Sequence, residues 1–224
     1  MSLIVTSEYE LNRVVAPRLP VATKDYDPRY IDQLNNILRL YFNQLDNIIG
    51  QLKTGSGAID GSGVRFPYGA FSSDQDQTTT ANTATLMTLN TTDFSNDVGL
   101  AIGSKITATV AGIYNLQFSV QFQNTDNQIQ DISIWLKQNG TDIPGSTGFV
   151  SIPARKSASA GEEAHEIIGW NYYLSMNADD YVQIYWSATL ASVTIQHYPT
   201  STGPTRPSTQ SVVATLSFVS ALPP

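Results

Sequence analysis

Between residues 114 and 123 the chain reads Tyr-Asn-Leu-Gln-Phe-Ser-Val-Gln-Phe-Gln, an unbroken alternation of apolar and uncharged polar side chains. Successive side chains of an extended strand point to opposite faces, so this pattern makes one dry face and one wet or subunit-facing face. A strand of this length needs partners, and the rest of the chain offers them. Residues 131–138 give another strand, ending at Asn139-Gly140, a favoured hairpin turn. Residues 167–174, 181–187, 192–198 and 211–221 read as four more strands, and 66–71, 83–89 and 105–110 as weaker ones. Many short strands, turn signals between them and no convincing helix predict a mainly β, single jelly-roll sandwich domain over residues 64–224.

The region before this domain follows a different period. Asp27-Pro28 reads as a helix N-cap followed by proline at the first helical position, where the missing N–H costs nothing. Ile31, Leu34, Leu38, Tyr41, Leu45, Ile48 and Leu52 then recur at alternating intervals of three and four, a seven-residue repeat. Ile37, Leu40, Phe42 and Ile49 widen the apolar stripe beyond a two-stranded seam, which favours three or more helices. Residues 27–53 are therefore expected to form a short trimeric coiled-coil stalk. A Gly/Ser-rich stretch over 54–63 ends the helix, uncouples it from the β domain and marks the domain boundary. Residues 1–26 mix apolar side chains with Pro17 and Pro20 and show no period. Proline and the residue before it favour extended backbone, so this part reads as an extended arm. Leu3, Ile4, Val5, Leu11, Val14, Val15 and Leu19 are its candidate anchoring contacts to a partner or a neighbouring subunit.

Composition narrows the function. Charged residues make up 14% of the chain, against roughly 25% in an average soluble protein. Ser, Thr, Asn and Gln carry the polar surface instead, which suits dense packing among identical neighbours. The formal net charge is −7 and Lys and Arg do not cluster, so no nucleic-acid partner is expected. With no Cys, disulfides and thiolate metal sites are excluded. The N-terminus has no basic n-region, and no apolar run reaches the ~18 residues of a membrane span. The chain is expected to be made in a cytoplasm, without membrane insertion.

No constellation for catalysis stands out, and no cofactor is expected. Glu162, Glu163 and His165 form the one acidic/His cluster, read as a solvated loop or strand start. Asp74, Asp76, Asp93 and Asp97 lack the spacing of a calcium loop, and Asp179-Asp180 reads as turn chemistry. Trp135, Trp170 and Trp186 fall within strands and are expected in the core or at a subunit interface. The Pro-rich segment 196–207 carries His197, Tyr198 and Arg206 and is the candidate recognition loop, since loops on a rigid sandwich are where recognition concentrates.

Three motifs, in order along the chain, resemble the jelly rolls of the complement-component and tumour-necrosis-factor type. Ala111-Gly112-Ile113-Tyr114 resembles the lead-in to their central strand. Residues 174–182, Leu-Ser-Met-Asn-Ala-Asp-Asp-Tyr-Val, resemble a turn usually written Leu-x-x-Gly-Asp-aromatic-Val, with Asp179 where Gly is common. Residues 205–219 are similar to the Pro-Ser-aliphatic closing strand of such domains in phage structural proteins. Residues 25–45 are similar to N-terminal segments of small virion proteins of tailed phages. The resemblance implies a non-enzymatic homotrimeric head on a stalk, in the virion, anchored through its N-terminus to the major capsid protein or to a tail- or portal-associated protein. A capsid decoration or head fibre is the first expectation. A tail-associated receptor-binding fibre, reading a host surface glycan or protein through its loops, is the alternative. Some relatives hold calcium near the trimer axis, but no residue here matches a ligand motif.

Overall fold

A computed structural model describes residues 15–21, 24–25, 27–54, 66–157 and 162–223, without the side chains of 48–54. The chain divides into two compact units, one up to residue 65 and one from Phe66 to Pro224.

Among the described residues of the first unit there is one helix, α1, which spans Pro28–Thr54. Its start obeys the cap expected of Asp27, whose Oδ1 accepts from the Arg29 N–H at 3.0 Å and whose carbonyl accepts from the Tyr30 N–H at 3.1 Å. Leu34, Ile37, Leu38, Tyr41 and Leu45 are half-buried within this unit, whereas Ile31 is 39%, Phe42 57% and Leu40 61% exposed. The side chains of Ile48 and Leu52 lie outside the described residues, as do Leu3, Ile4, Val5, Leu11, Val14 and residues 55–65. Of the arm's candidate contacts, Val15 and Leu19 are described and both are exposed.

The second unit is all β. Its strands in chain order are β1 (Tyr68–Ser73), β2 (Thr85–Leu86), β3 (Thr91–Asn96), β4 (Val98–Ala101), β5 (Lys105–Ala108), β6 (Gly112–Asn124), β7 (Gln130–Gln138) and β8 (Thr141–Asp142). These are followed by β9 (Gly148–Ile152), β10 (Ala164–Met176), β11 (Tyr181–Ala188), β12 (Val193–Ile195), β13 (Ser201–Thr202), β14 (Thr205–Arg206) and β15 (Val212–Ser220). One sheet runs β10-β6-β15-β1-β3, with β12 also on β6. The other runs β4-β5-β11-β7-β8, with β2 on β11 and β9 on β7. The ladders that join these strands are antiparallel, and the chain crosses repeatedly between the sheets, among other places at β3–β4, β5–β6, β6–β7, β9–β10, β10–β11 and β11–β12, the path of a jelly roll.

The alternation at residues 114–123 does what its period requires. Tyr114, Leu116, Phe118, Val120 and Phe122 all face the core, where Trp186, Phe71, Ile106 and Leu216 are fully buried. Each such side chain contributes about 2 kcal/mol by leaving water. Trp186 Nε1 is buried in the core with no hydrogen-bond partner among the described residues, whereas other polar groups that enter it are paired. Buried Asn124 donates through Nδ2 to the carbonyls of Gln128 and Pro153, each at 2.9 Å, and accepts from the Asp126 N–H at 2.9 Å. This one side chain ties the β6–β7 loop to the chain that leaves β9.

The turns account for the motifs. Asn139 and Gly140 both take positive φ, the conformation a tight hairpin between β7 and β8 demands. Asp179 takes φ +67, in the left-handed region that favours glycine. Its neighbour Asp180 accepts from the Asn177 N–H at 2.7 Å and from Asn139 Nδ2 at 2.6 Å. A Cβ on Gly112 would fall on the Phe218 ring and 2.9 Å from the Ser220 carbonyl, so the glycine lets β15 close against the start of β6.

Several strands depart from expectation. The strand expected over 192–198 shortens to β12, because His197 and Tyr198 turn away to bond Asp76 and Thr209. That expected over 83–89 shrinks to β2. β3, β4 and β9 carry no clean alternation in the sequence. They are edge or near-edge elements, and β3 is almost entirely exposed.

Candidate functional site

Two surfaces of the sandwich stand out, one for the charge it lacks and one for the side chains it gathers. In the first sheet, the outward positions of the three adjacent strands are the odd-numbered residues of β6 (113–123), β10 (165–175) and β15 (213–217). None of them is Asp, Glu, Lys or Arg. They form straight rows across the sheet: Val213–Ser119–Gly169, Thr215–Gln117–Asn171 and Ser217–Asn115–Tyr173. Gly169 has no side chain to fill its place, leaving a shallow depression of about 500 Å³ lined by residues of the first two rows and reaching down to Phe118 and Trp170. Ile167 and Tyr173, on the same face, are 65% and 61% exposed. The Asn115 Oδ1 is buried yet has no hydrogen-bond partner among the described residues. Exposed sheet faces ordinarily carry mixed charge for solubility, and interface cores are depleted of it. This face has the composition of an interface.

The second surface is the loop cluster at the end of the sandwich remote from Phe66, where the chain enters the domain. The antiparallel register Ser73↔Val212 sets the start of β1 and the end of β15 together at one end. Residues 196–211 lie at the other. Tyr198 is clamped at its backbone by Thr209, donating to Oγ1 at 3.1 Å and accepting from the Thr209 N–H at 2.8 Å. Between these two residues the chain makes an excursion that contains the β13–β14 pair. The Tyr198 hydroxyl donates to Gln123 Oε1 at 3.0 Å and lies 3.0 Å from His165 Nδ1. The His165 ring meets Tyr198 edge-on at 5.5 Å, and the Arg206 guanidinium sits 5.8 Å over the Tyr198 ring. Arg206 is held there by its Nη1, which donates to the Pro199 carbonyl at 3.3 Å. Burial, followed by the carboxylates of Glu163 and Asp76, pushes the Tyr198 hydroxyl above its ordinary range, with Arg206 opposing.

The structure thus gathers Tyr198 and Arg206 around one ring and adds His165, Gln123 and Asp76, which sequence reasoning does not place beside them. His197 is held through its backbone N–H by Asp76 at 2.8 Å. Glu162 and His165 are exposed and Glu163 is half-buried. Among the described residues no three His, Cys, Asp or Glu side chains come together to hold a metal ion. Trp186 is a core residue, as expected. Trp170 packs at the side of the sandwich, where a Cβ on Gly148 would fall within its ring. Trp135 departs from the core reading and lies on the outward face of β7, beside Tyr185.

No family model matches this chain, and no curated protein matches it. Among solved structures it is similar to the globular domain of zebrafish complement 1qA protein, at 14% identity and TM-score 0.40, over 70% of this chain and 100% of that one. The fold described above stands on the strand order and register themselves.

Proposed function

We propose that this chain is a non-enzymatic, homotrimeric structural protein of a tailed-phage virion, a capsid decoration or head fibre anchored by its N-terminal arm. The uncharged outward face of the first sheet carries the reading. A face with no charge on three adjacent strands, a depression at Gly169 and an unpaired Asn115 Oδ1 fits a surface completed by another copy of the chain. The heptad spacing of Ile31, Leu34, Leu38, Tyr41, Leu45, Ile48 and Leu52 supports three-fold assembly from a separate element. The virion address rests on the resemblance of residues 25–45 and 205–219 to phage structural segments. Its expected anchor partner is the major capsid protein or a tail- or portal-associated protein.

Charge on the uncharged face is the direct test. Ser119→Lys combined with Thr215→Lys places two ammonium groups in the Gly169 depression, on positions that are half-buried in the single chain. The expected outcome is loss of trimer mass in light scattering with the circular dichroism of the β domain retained. A doubly substituted chain that keeps wild-type trimer mass would sink the interface assignment.

The second reading, a tail-associated fibre that recognises the host surface, is favoured by one observation. The His165–Tyr198–Arg206 cluster is pre-arranged and lies at the end remote from the chain's entry. Adsorption of the purified protein to host cells, lost in Tyr198→Ala with Arg206→Ala, would support that role over decoration.

A further inference from the structure

We infer that the outward face of the second sheet, centred on Trp135 and Tyr185, is a binding surface for neutral sugars. The two residues are cross-strand partners on β7 and β11. Their ring centroids are 6.0 Å apart with planes 29° from parallel, too far for face-to-face stacking, so the rings lie offset beside one another. The indole is fixed in place, because Trp135 Nε1 donates to Asp142 Oδ1 at 2.9 Å. The same oxygen pairs with Lys137 Nζ at 3.3 Å, and that ammonium lies over the Tyr185 ring, 4.7 Å from its centroid, so the half-buried Trp135 is the ring offered to a ligand. The Asp142 side chain is 65% exposed, and its Oδ2 takes no hydrogen bond among the described residues. One row further along, Phe149 is 79% exposed, in register with Ser133, which precedes Trp135 by two positions and shares its face.

Aromatic surface beside a hydrogen-bonded acid–base pair matches one ligand chemistry well. A pyranose presents an apolar C–H face to a ring and a rim of hydroxyls that both donate and accept. Asp142 accepts from such hydroxyls, and Lys137 donates to them. An acidic or a basic polymer would meet one opposite and one like charge at the centre of this face. A second copy of the chain would bury the Lys137–Asp142 pair, at a desolvation cost its attraction need not repay. A neutral glycan brings no like charge, and its hydroxyls replace the water hydrogen bonds that the pair gives up. The inference stands independently of how copies of the chain assemble, because it uses the sheet opposite the uncharged face.

Nuclear magnetic resonance of the full-length chain tests it. The three tryptophans supply indole N–H signals, assigned by single Trp→Phe changes. Cellohexaose, maltohexaose and the hexamer of N-acetylglucosamine are titrated in turn. The expected result is a saturable shift of the Trp135 signal with at least one of them, while the signal of fully buried Trp186 stays put. Tyr185→Ala should weaken that titration by about tenfold. If Tyr185→Ala fails to fold, Asp142→Ala, at a largely exposed position, should weaken it in the same direction. A Trp135 signal unmoved by all three sugars, or a titration equally tight in the variants, overturns the inference.

Discussion

Tyr114 shows how far a single side chain can be read. Its alternation with Asn115 and Leu116 places it inward, and it is fully buried. Its hydroxyl, which cannot be left unpaired there, donates to the Val110 carbonyl at 2.7 Å. Its ring meets Phe218 edge-on at 5.6 Å, against which Gly112 leaves room. Burial, with a smaller contribution from the Asp97 carboxylate, pushes the hydroxyl up to about 12 from 10.0. Because the folded value is raised, the neutral form's contribution to stability is complete below the unfolded value. It is lost as pH rises from the unfolded value toward the folded one. Tyr114→Phe should cost about 1 kcal/mol at neutral pH, through the lost hydrogen bond. It should also flatten the fall in stability between pH 10 and about 12. Urea unfolding of both proteins across that range checks the sign, and parallel curves would remove Tyr114 as the cause. Inward placement is legible from the period alone, whereas the Phe218 contact is not, because it joins residues about a hundred positions apart.

At the scale of the element, the periods that are strong in the sequence become the elements that are long in the structure. β6 carries an unbroken alternation because one of its faces lies on the core, and strand-like composition between turn signals predicts β7, β10, β11 and β15 as well. It does not predict β3 and β9, and their burial says why. Edge strands need not bury a full face, so Thr-Thr-Asp-Phe-Ser-Asn reads as a loop while pairing with β1 as a strand. The turn at Asp179 is legible as a turn, but its φ of +67, in the left-handed region that favours glycine, is not. The helix α1 carries its own test. Leu38→Asp with Leu45→Asp puts two carboxylates on the heptad stripe, and sedimentation should then show weakened trimers with the β domain still folded. Unchanged sedimentation would remove the helix from assembly and leave the sheet face to act alone.

Across the whole molecule, charge is unevenly spread. The β10-β6-β15 part of one sheet turns an uncharged face outward, and the other sheet carries Lys137, Asp142 and Asp131 around its aromatic pair. The loops at the end remote from Phe66 gather His165, Tyr198 and Arg206. The low overall charge is visible in composition, but its concentration into one empty face is not. That face exists only when β10, β6 and β15 are brought side by side, from segments far apart in the chain. Of the candidate recognition loop, the segment is legible and its partners are not, since Gln123 and His165 come from other strands. The outward side of Trp135 follows from its phase against Ile132, Ile134 and Leu136, whereas its pairing with Tyr185 of another strand is not legible in the sequence.

The solution mass of the intact, unmodified chain bears most directly on the central claim. Light scattering coupled to size exclusion should return three times the 24.4 kDa of one chain, independent of loading concentration over the accessible range. A mass of one chain, with the uncharged face left open to water, would contradict it.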